Sequence, residues 1–482
     1  MEKFFKISAR GSTVKTELLA GVTTFMAMAY ILMVNAGMFA ELGEVSYGAI
    51  YIATAISAVV GTVLIGLLSN LPLAQASGMG LNAFFVYTVC LGLGLSYANA
   101  LVLVLIDGIV FILLTVSGLR KKIFDAIPKA VRVAIPAGIG LFIAFVGLQN
   151  AGLIVPSSST GVTLASFNLF NGTATWGTVM PLLVTLLGVI VIAALSKLNV
   201  KGAVLYGMLG GTALYYLLGL TVEGFYDPAS TSYFLGGTLS EAGEWTANTL
   251  SINPFDAFRD FGTQAFGKVF TEGFDFSAFL QGHSVASLVM VIITTSLAFC
   301  LVDMFDTLGT LYGACARGKL LTPSGEVPNM ERAMLADAIA TTTGAVCGTS
   351  TVTTFVESSA GIAAGAKTGL ASIFTSLCFI VAMFLSPIAQ LIPSFATAAA
   401  LIYVGVLMMN CVRDIDWTNI TDAVPAFLTV AIMPFSYNIS YGIAFGIISY
   451  LLISAFTGKI RKTRLATWFI ALLFGIMLFM SH

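Results

Sequence analysis

Five acidic residues lie inside long apolar runs of the sequence: Asp107, Asp303, Asp306, Asp337 and Glu357. No Lys, Arg or His lies well inside such a run, and the two histidines are at a run edge (His283) and at the end (His482). A charge inside a membrane is costly and usually marks a route for a substrate or a proton. Carboxylates without a fixed cation suit a cation, or a neutral molecule rich in N–H donors, better than a free anion.

Asp303 and Asp306 are three residues apart in the run Leu-Val-Asp-Met-Phe-Asp-Thr-Leu, so they share one face of a helix. Two neighbouring carboxylates without a buried cation cannot both ionise cheaply, and at least one is expected to hold a proton near neutral pH. Proton coupling is therefore expected to use carboxylates. Asp107 and Asp337 each stand alone in a helix, where hydrogen bonding to backbone or hydroxyl groups is an equally good interpretation.

The composition identifies the class of protein. Of 482 residues, 58% are hydrophobic and only 9% are charged, against about 25% charged in soluble domains. The net charge of −1 excludes the basic field of a nucleic-acid-binding protein. Six cysteines without a C-x-x-C pair give no support to a disulfide framework or a zinc site. The sequence predicts a polytopic protein of the lipid bilayer, with no metal or cofactor and no enzymatic constellation.

A membrane span needs about 20 mostly apolar residues. Such runs predict helices at 18–39, 48–71, 97–118, 132–152, 176–196, 201–220, 285–313, 368–391, 395–411, 419–436 and 438–457. Shorter or broken segments at 73–92, 331–348 and 349–365 bring the predicted number of segments to fourteen. A last apolar run at 465–480 is short for a span and either crosses the membrane or lies flat on it.

Basic residues predict the orientation, because cytoplasmic loops carry the excess of Lys and Arg. The N-terminus and the exit of every even-numbered segment are basic, with Lys3, Lys6, Arg10, Lys15, Arg120, Lys121, Lys122, Lys197, Lys201, Arg317, Lys319, Lys367, Arg413, Lys459, Arg461, Lys462 and Arg464. A cytoplasmic N-terminus in the plasma (inner) membrane follows. The acidic loop 221–284, which includes Glu223, Asp227, Glu241 and Glu244, is then external.

Two segments are interrupted. In 73–92, Gly78 and Gly80 break the apolar run; in 347–365, Thr-Val-Thr-Thr-Phe-Val favours extended backbone before Glu357 opens a small-residue helix. Each predicts an extended piece followed by a half-helix, and such paired segments point to a binding site at the membrane midplane. As third and tenth of fourteen, they lie at equivalent places in two seven-span halves of opposite topology. The alternative is two re-entrant packing loops without a ligand.

Four motifs resemble the nucleobase/cation symporter-2 (nucleobase–ascorbate transporter) superfamily, in its AzgA-like adenine/guanine/hypoxanthine permease branch. They are Gly-Met-Gly-Leu-Asn-Ala-Phe-Phe at 78–85, Ala-Gly-Ile-Gly-Leu-Phe-Ile-Ala-Phe-Val-Gly-Leu-Gln-Asn-Ala-Gly at 137–152, Val-Asp-Met-Phe-Asp-Thr-Leu-Gly-Thr at 302–310 and Gly-Thr-Ser-Thr-Val-Thr-Thr-Phe-Val-Glu-Ser-Ser-Ala-Gly at 348–361. The first span also resembles the family over 23–35. The chain departs from the family pattern at Ser77, Ala36 and Phe355.

The resemblance implies an all-α membrane protein with a seven-plus-seven inverted repeat. A core domain, 18–118 and 285–391, would carry the substrate past a gate domain, 132–220 and 395–457, in an elevator-type movement. The external loop 221–284 and the apolar run 465–480 stand outside both domains. The implied function is import of purine nucleobases, of the guanine, hypoxanthine and adenine class, with protons.

The resemblance also implies the polar contacts of the site, which by motif position are Asn82, Asp303, Asp306 and Glu357. Gly80 and Thr353 of the same motifs complete the predicted substrate site. Carboxylates at Asp306 and Glu357 can accept purine N–H groups, and Phe84, Phe85 or Phe305 could stack on the ring. For the proton we expect Asp303, with Asp306 and Glu357 as the other candidates, and we expect Asp306 to face the purine.

Two other functions compete with this prediction. A sulfate-permease-like anion transporter would share the fold, but the acidic, cation-free site is against it. An integral membrane enzyme lacks its catalytic residues in this sequence. The preferred purine, the formation of a homodimer and the role of the external loop stay open at this stage.

Overall fold

The computed structural model describes residues 2–118, 126–221, 237–239, 245–247, 253–322, 326–458 and 463–480. Several residues used for the predicted orientation lie outside these ranges: Arg120, Lys121, Lys122, Lys459, Arg461 and Lys462, the loop acids Glu223, Asp227, Glu241 and Glu244, and His482.

The chain is mostly helical, and its helices lie close to the predicted spans. The first half contains α1 (Val14–Met28), α2 (Tyr30–Ala40), α3 (Tyr47–Ser69), α4 (Met79–Ala83), α5 (Tyr97–Val116), α6 (Lys129–Asn150), α7 (Trp176–Lys197) and α8 (Ala203–Thr221). The second half contains α9 (Val285–Arg317), α10 (Met330–Cys347), α11 (Ser358–Ala363), α12 (Leu370–Met383), α13 (Ser394–Met408), α14 (Ile420–Phe435), α15 (Ile439–Phe456) and α16 (Leu465–Met480). The predicted first span is thus two helices, interrupted at Ala29.

Length and composition show which helices can cross a bilayer. Within the described ranges, eight helices qualify when α1 and α2 are counted as one, and five further apolar helices are shorter. One of the shorter helices is Met79–Gly92, in which α4 continues as a π-helix over Phe84–Gly92. The protein is therefore an integral membrane protein, and its shorter segments need neighbouring helices to satisfy their ends.

Both interrupted segments contain extended backbone. Strand β1 (Gln75–Ser77) comes directly before α4, and strand β6 (Val352–Thr354) comes shortly before α11. The two strands pair antiparallel, with Gln75 opposite Thr354 and Ser77 opposite Val352. All residues of both strands are buried, so the ladder lies inside the helical protein.

The remaining strands form two short hairpins outside the helices. They are β2 (Ile154–Ser157) with β3 (Gly161–Leu164), and β4 (Gly237–Leu239) with β5 (Trp245–Ala247). The end of the predicted loop 221–284 folds into short helices at Pro254–Asp260, Lys268–Thr271 and Ser277–Leu280. Ser46 Oγ donates to Asp260 at 3.0 Å, and Asn99 Nδ2 donates to the carbonyl of Gly273 at 2.8 Å, so this part is fixed to α3 and α5.

Small residues set the helix spacing. Helix α10 packs on α3 and α5, α12 packs on α1 and α3, and α13 and α14 pack on α6. A Cβ at Gly108 of α5 would lie 2.4 Å from Thr342 Oγ1, and one at Gly405 of α13 would lie 2.4 Å from the carbonyl of Gly140. Close backbone approach of this kind is how membrane helices associate where the hydrophobic effect cannot drive them together.

Candidate functional site

A cavity of about 430 Å³ lies beside the paired strands β1 and β6. Its wall is formed by Gly78, Met79, Gly80, Pro136, Phe305, Asp306, Gly309, Thr310, Gly313, Thr353, Thr354, Phe355, Val356, Glu357, Ser359, Val404, Leu407, Met408, Asn410 and Cys411. These residues come from α4, α6, α9, β6, α11 and α13. The wall is mainly apolar, and its ionisable side chains other than Cys411 are Asp306 and Glu357.

Glu357 is the residue directly before α11, so its position depends on the end of β6. Its Oε1 accepts a hydrogen bond from the hydroxyl of Tyr30 at 2.5 Å. Tyr30 is completely buried at the start of α2, whereas Glu357 is only partly buried and lines the cavity. A fixed tyrosine hydroxyl thus holds one oxygen of a carboxylate that faces open space.

Asp306 lies on α9 and faces the same cavity. Its Oδ2 accepts from the hydroxyl of Thr353 at 3.3 Å. Thr353 belongs to β6 and is itself a wall residue, so the strand positions both carboxylates: it binds Asp306 directly and ends just before Glu357. Phe305, the preceding residue on α9, also lines the cavity, where an aromatic face can meet a planar ligand.

The other three acids are fully buried and do not line the cavity. Asp107 accepts from Thr351 at 3.2 Å, and Asp303 accepts from Thr341 at 3.4 Å. Asp337 accepts from Gln75 at 2.9 Å and from Thr307 at 2.8 Å, which links β1, α9 and α10. Asp303 and Asp306 therefore have different neighbours: Asp303 lies against α10, and Asp306 lies against β6 and the cavity.

Asn82, Phe84 and Phe85 were expected at the ligand, but none of them is a wall residue. The carbonyl oxygen of Asn82 accepts from Ser77 at 2.8 Å and also from the hydroxyl of Ser350. Phe84 packs against Phe299 with ring centres 4.8 Å apart, and Phe85 stacks on Phe39 at 4.8 Å. In this conformation Asn82 fastens the start of α4 to the segment before β6, and the two rings fill the helical core.

Residues 15–445 match the model of the xanthine/uracil permease family, described as a permease family. The chain belongs to this permease family.

Sequence relatives cover almost the full length of this permease. The adenine permease AdeP of Escherichia coli is 34% identical over 475 residues, which is 98% of this chain and 95% of the relative. The guanine/hypoxanthine permease PbuO of Bacillus subtilis is 36% identical over 479 residues, 98% of this chain and 99% of the relative. The relatives are transporters, and this permease is not an enzyme.

Solved structures show the fold. The transmembrane domain of the cyanobacterial bicarbonate transporter BicA superimposes with a TM-score of 0.59 and 16% identity, over 89% of this permease and 97% of that chain. The murine anion transporter Slc26a9 in its inward-facing state gives a TM-score of 0.60 with 11% identity, over 92% and 68% of the two chains. At such low identity these similarities concern the fold alone.

Sequence reasoning missed two groups of site residues in this permease. Tyr30 carries no sequence signal, because a tyrosine in an apolar helix ordinarily reads as packing. The wall residues of α6 and α13 (Pro136, Val404, Leu407, Met408) with Asn410 and Cys411 just beyond α13 have no charge that would mark them. These residues reach the site only because the fold brings α13 close to β6 and α9, which also line the cavity.

The contacts of Asn82 give a testable consequence. We expect Asn82→Ala to destabilise the purified permease by roughly 1–3 kcal/mol, because Ser77 and Ser350 lose a buried acceptor. The matched control is Asn410→Ala, since Asn410 lines the cavity but is exposed and should change stability little. Thermal unfolding in detergent measures both variants. Equal stability of Asn82→Ala and the parent would contradict the structural role.

Proposed function

We propose that this permease imports purine nucleobases of the guanine, hypoxanthine and adenine class by proton symport. The observation that carries the proposal is the pair of carboxylates, Asp306 and Glu357, on the wall of one mainly apolar cavity, whose described wall residues include no Lys, Arg or His. Relatives named as adenine and guanine/hypoxanthine permeases support the substrate class.

The chemistry of a purine fits this wall. A purine base is a flat neutral ring with N–H donors on its edge, and a carboxylate oxygen is a strong acceptor for them. Glu357 and Asp306 supply the acceptors, Phe305 supplies an aromatic face, and the backbone N–H groups of Met79 and Gly80 in the first turn of α4 are the proposed donors for a ring carbonyl or nitrogen. Ligand pockets of about 300–1,000 Å³ hold small molecules, and a volume of about 430 Å³ is in this range.

An anion substrate is the competing proposal, since the solved structures with this fold include a bicarbonate transporter and an anion transporter. The wall residues argue against it here. A free anion would have to lie near two carboxylates with no cation to offset their repulsion. The permease therefore shares its fold with these anion transporters, but the residues that line its cavity suit a ligand with N–H donors.

The membrane arrangement is part of the proposal. With the N-terminus in the cytoplasm, the end of α9 at Arg317 and the turn after α13 at Arg413 are cytoplasmic. The cavity includes Gly313 and Cys411 near these ends, so it opens toward the cytoplasm. The fourteen segments form two inverted halves, in which β1 with α4 and β6 with α11 are the equivalent interrupted segments.

The opposite, external side is closed by hydrogen bonds. Asn150, the last residue of α6, donates to Glu41 Oε1 at 3.0 Å, and Tyr87 donates to Glu41 Oε2 at 2.9 Å. Desolvation raises the pKa of Glu41 to about 6, while the hydrogen bonds from Tyr87 and Asn150 act in the opposite direction. Thr88 Oγ1 also donates to the carbonyl of Tyr437 at 2.7 Å. The bonds from Asn150 to Glu41 and from Thr88 to Tyr437 join the proposed core domain to the proposed gate domain, and the bond from Tyr87 to Glu41 lies within the core.

Transport then requires the core to slide against the gate. The core consists of α1–α5 and α9–α12 with both strands, and the gate consists of α6–α8 and α13–α15. Both carboxylates lie on the core, and α6 and α13 of the gate form the far wall of the cavity. An upward movement of the core would break the external bonds and present the same carboxylates outside.

The substrate assignment is tested at Glu357. We expect Glu357→Ala to weaken purine binding by at least the roughly 1.5–3 kcal/mol of a charge-assisted hydrogen bond, and Glu357→Gln to weaken it because one acceptor becomes a donor. Binding of labelled guanine, hypoxanthine and adenine to purified protein measures the effect, with labelled sulfate as the competing ligand. Unchanged purine affinity in Glu357→Ala, or binding of sulfate in place of purine, would disprove the assignment.

The elevator movement is tested by a cross-link on the external side. Cysteines at Glu41 and Asn150, joined by a short bifunctional reagent, should stop purine transport and leave purine binding intact, because the cavity opens on the other side. The control is a pair at Lys268 and Glu272, which belong to one helical turn and cannot restrain the two domains. Cys378 and Cys411 are replaced in both proteins because they are only partly buried. Full transport after complete cross-linking at 41 and 150 would exclude sliding.

Proton coupling is tested with Asp303→Asn and Asp306→Asn in proteoliposomes. We expect Asp303→Asn to mimic a permanently protonated residue, so that purine still exchanges across the membrane but no longer accumulates on a pH gradient. Asp306→Asn should reduce binding itself, because this side chain faces the cavity. Purine uptake with and without an imposed gradient separates the two effects. If both variants respond to the gradient as the parent does, the proton is carried elsewhere, with Glu357 and Asp337 next to be tested.

A further inference from the structure

The bond between Tyr30 and Glu357 joins residues 327 positions apart in the chain. Tyr30 is the first residue of α2, directly after the interruption of the first span at Ala29. Its side chain is fully buried, and it does not belong to the wall of the cavity. Any influence of the Tyr30 hydroxyl on a ligand must therefore pass through the carboxylate of Glu357.

A glutamate side chain has several rotatable bonds, and its ordering costs free energy when a ligand binds. Glu357 follows the exposed Val356 and directly precedes α11, and its own side chain is only partly buried. The hydroxyl of Tyr30 restrains this side chain at Oε1. The carboxylate is therefore oriented before a ligand binds. Such prior orientation is a general requirement for a tight and selective site.

We propose that Tyr30 is the positioning residue of the site: its hydroxyl holds Oε1 of Glu357 so that Oε2 is presented to the N–H edge of the purine. This inference rests on the purine transport proposed above. Tyr30 and Glu357 both lie in segments assigned to the proposed core: α2 packs on α3 and β1, and also on α13 of the proposed gate, while α11 packs on α1. In the proposed elevator movement Tyr30 and Glu357 move together with the core. Their hydrogen bond is then kept, and the carboxylate has the same orientation whether the site faces the cytoplasm or the outside.

The experiment compares two tyrosine variants of the full-length protein. Tyr30→Phe removes only the hydroxyl. Tyr51→Phe is the matched control, because Tyr51 is also buried in this part of the protein and donates to the carbonyl of Ala382 at 2.9 Å. We expect Tyr30→Phe to raise the Kd for guanine about tenfold, the scale of one hydrogen bond to a charged group, while Tyr51→Phe leaves the Kd unchanged. Thermal unfolding of both variants shows that the comparison concerns folded protein.

Infrared spectroscopy supplies a readout that needs no purine. The carboxylate band of Glu357, identified by its loss in Glu357→Gln, should move in Tyr30→Phe and stay in place in Tyr51→Phe. A second route to the same point is Glu357→Asp, which leaves Tyr30 intact but withdraws the carboxylate by one methylene. It should lose guanine affinity as Tyr30→Phe does, and if Tyr30→Phe does not fold, parent-like guanine binding by Glu357→Asp still overturns the positioning role.

A double variant shows whether the hydroxyl acts through Glu357. In the Glu357→Ala background, where the side chain offers the Tyr30 hydroxyl no acceptor, adding Tyr30→Phe should leave the residual guanine affinity unchanged. A further tenfold loss there, an unmoved infrared band, or parent-like guanine binding by Tyr30→Phe or Glu357→Asp would each overturn the positioning role. If the parent protein binds no purine at all, the proposed function itself is wrong, and that outcome is seen before any variant is compared.

Discussion

Extended backbone at the depth of a membrane must find partners for its N–H and C=O groups inside the protein, because the lipid offers none. The pairing of β1 with β6 meets this requirement and fixes the rest of the site. Beyond the strand register, Gly78 donates to the carbonyl of Thr351 and Phe355 donates to that of Ala74, each at 2.9 Å. Two half-helices can begin in the interior only because these few bonds close the ladder between them.

The side chains of the ladder divide the buried acids into two groups. Thr351 donates to Asp107 and Gln75 donates to Asp337, which fastens the strands to α5 and α10. Thr353 donates instead to Asp306 at the cavity. The structural acids Asp107 and Asp337 and the cavity acid Asp306 thus all accept hydrogen bonds from residues of the paired strands or directly next to them.

Three features of the fold were predictable because each leaves a strong local signal. Long apolar runs indicate the helices, paired glycines indicate an interrupted segment, and an acidic residue inside an apolar run stands out because a charge within the membrane costs free energy. The residues of the predicted substrate site were chosen by motif position, and of these Asp306, Glu357, Gly80, Phe305 and Thr353 line the cavity. Asn82, Phe84 and Phe85 come from the same motifs but do not line it, because a motif does not show on which side of a half-helix a residue points. Tyr30 and Val404 reach the site only through helix packing between distant parts of the chain, which no local pattern encodes.

The two wall carboxylates also explain why substrate and proton belong together in this proposal. A moving core with both carboxylates ionised would carry two negative charges through the membrane field, at roughly 2.3 kcal/mol per charge for each 100 mV that is crossed. A proton, proposed above on Asp303 with Asp306 and Glu357 as the other candidates, removes one negative charge from the core, and the N–H donors of a neutral purine hydrogen-bond a wall carboxylate without adding a cation. Because the described residues that line the cavity include no Lys, Arg or His, the proposed mechanism takes this compensation from what is transported. In the proposed mechanism the loaded and protonated core would be the form that crosses most easily, and this preference would be the physical basis of coupling.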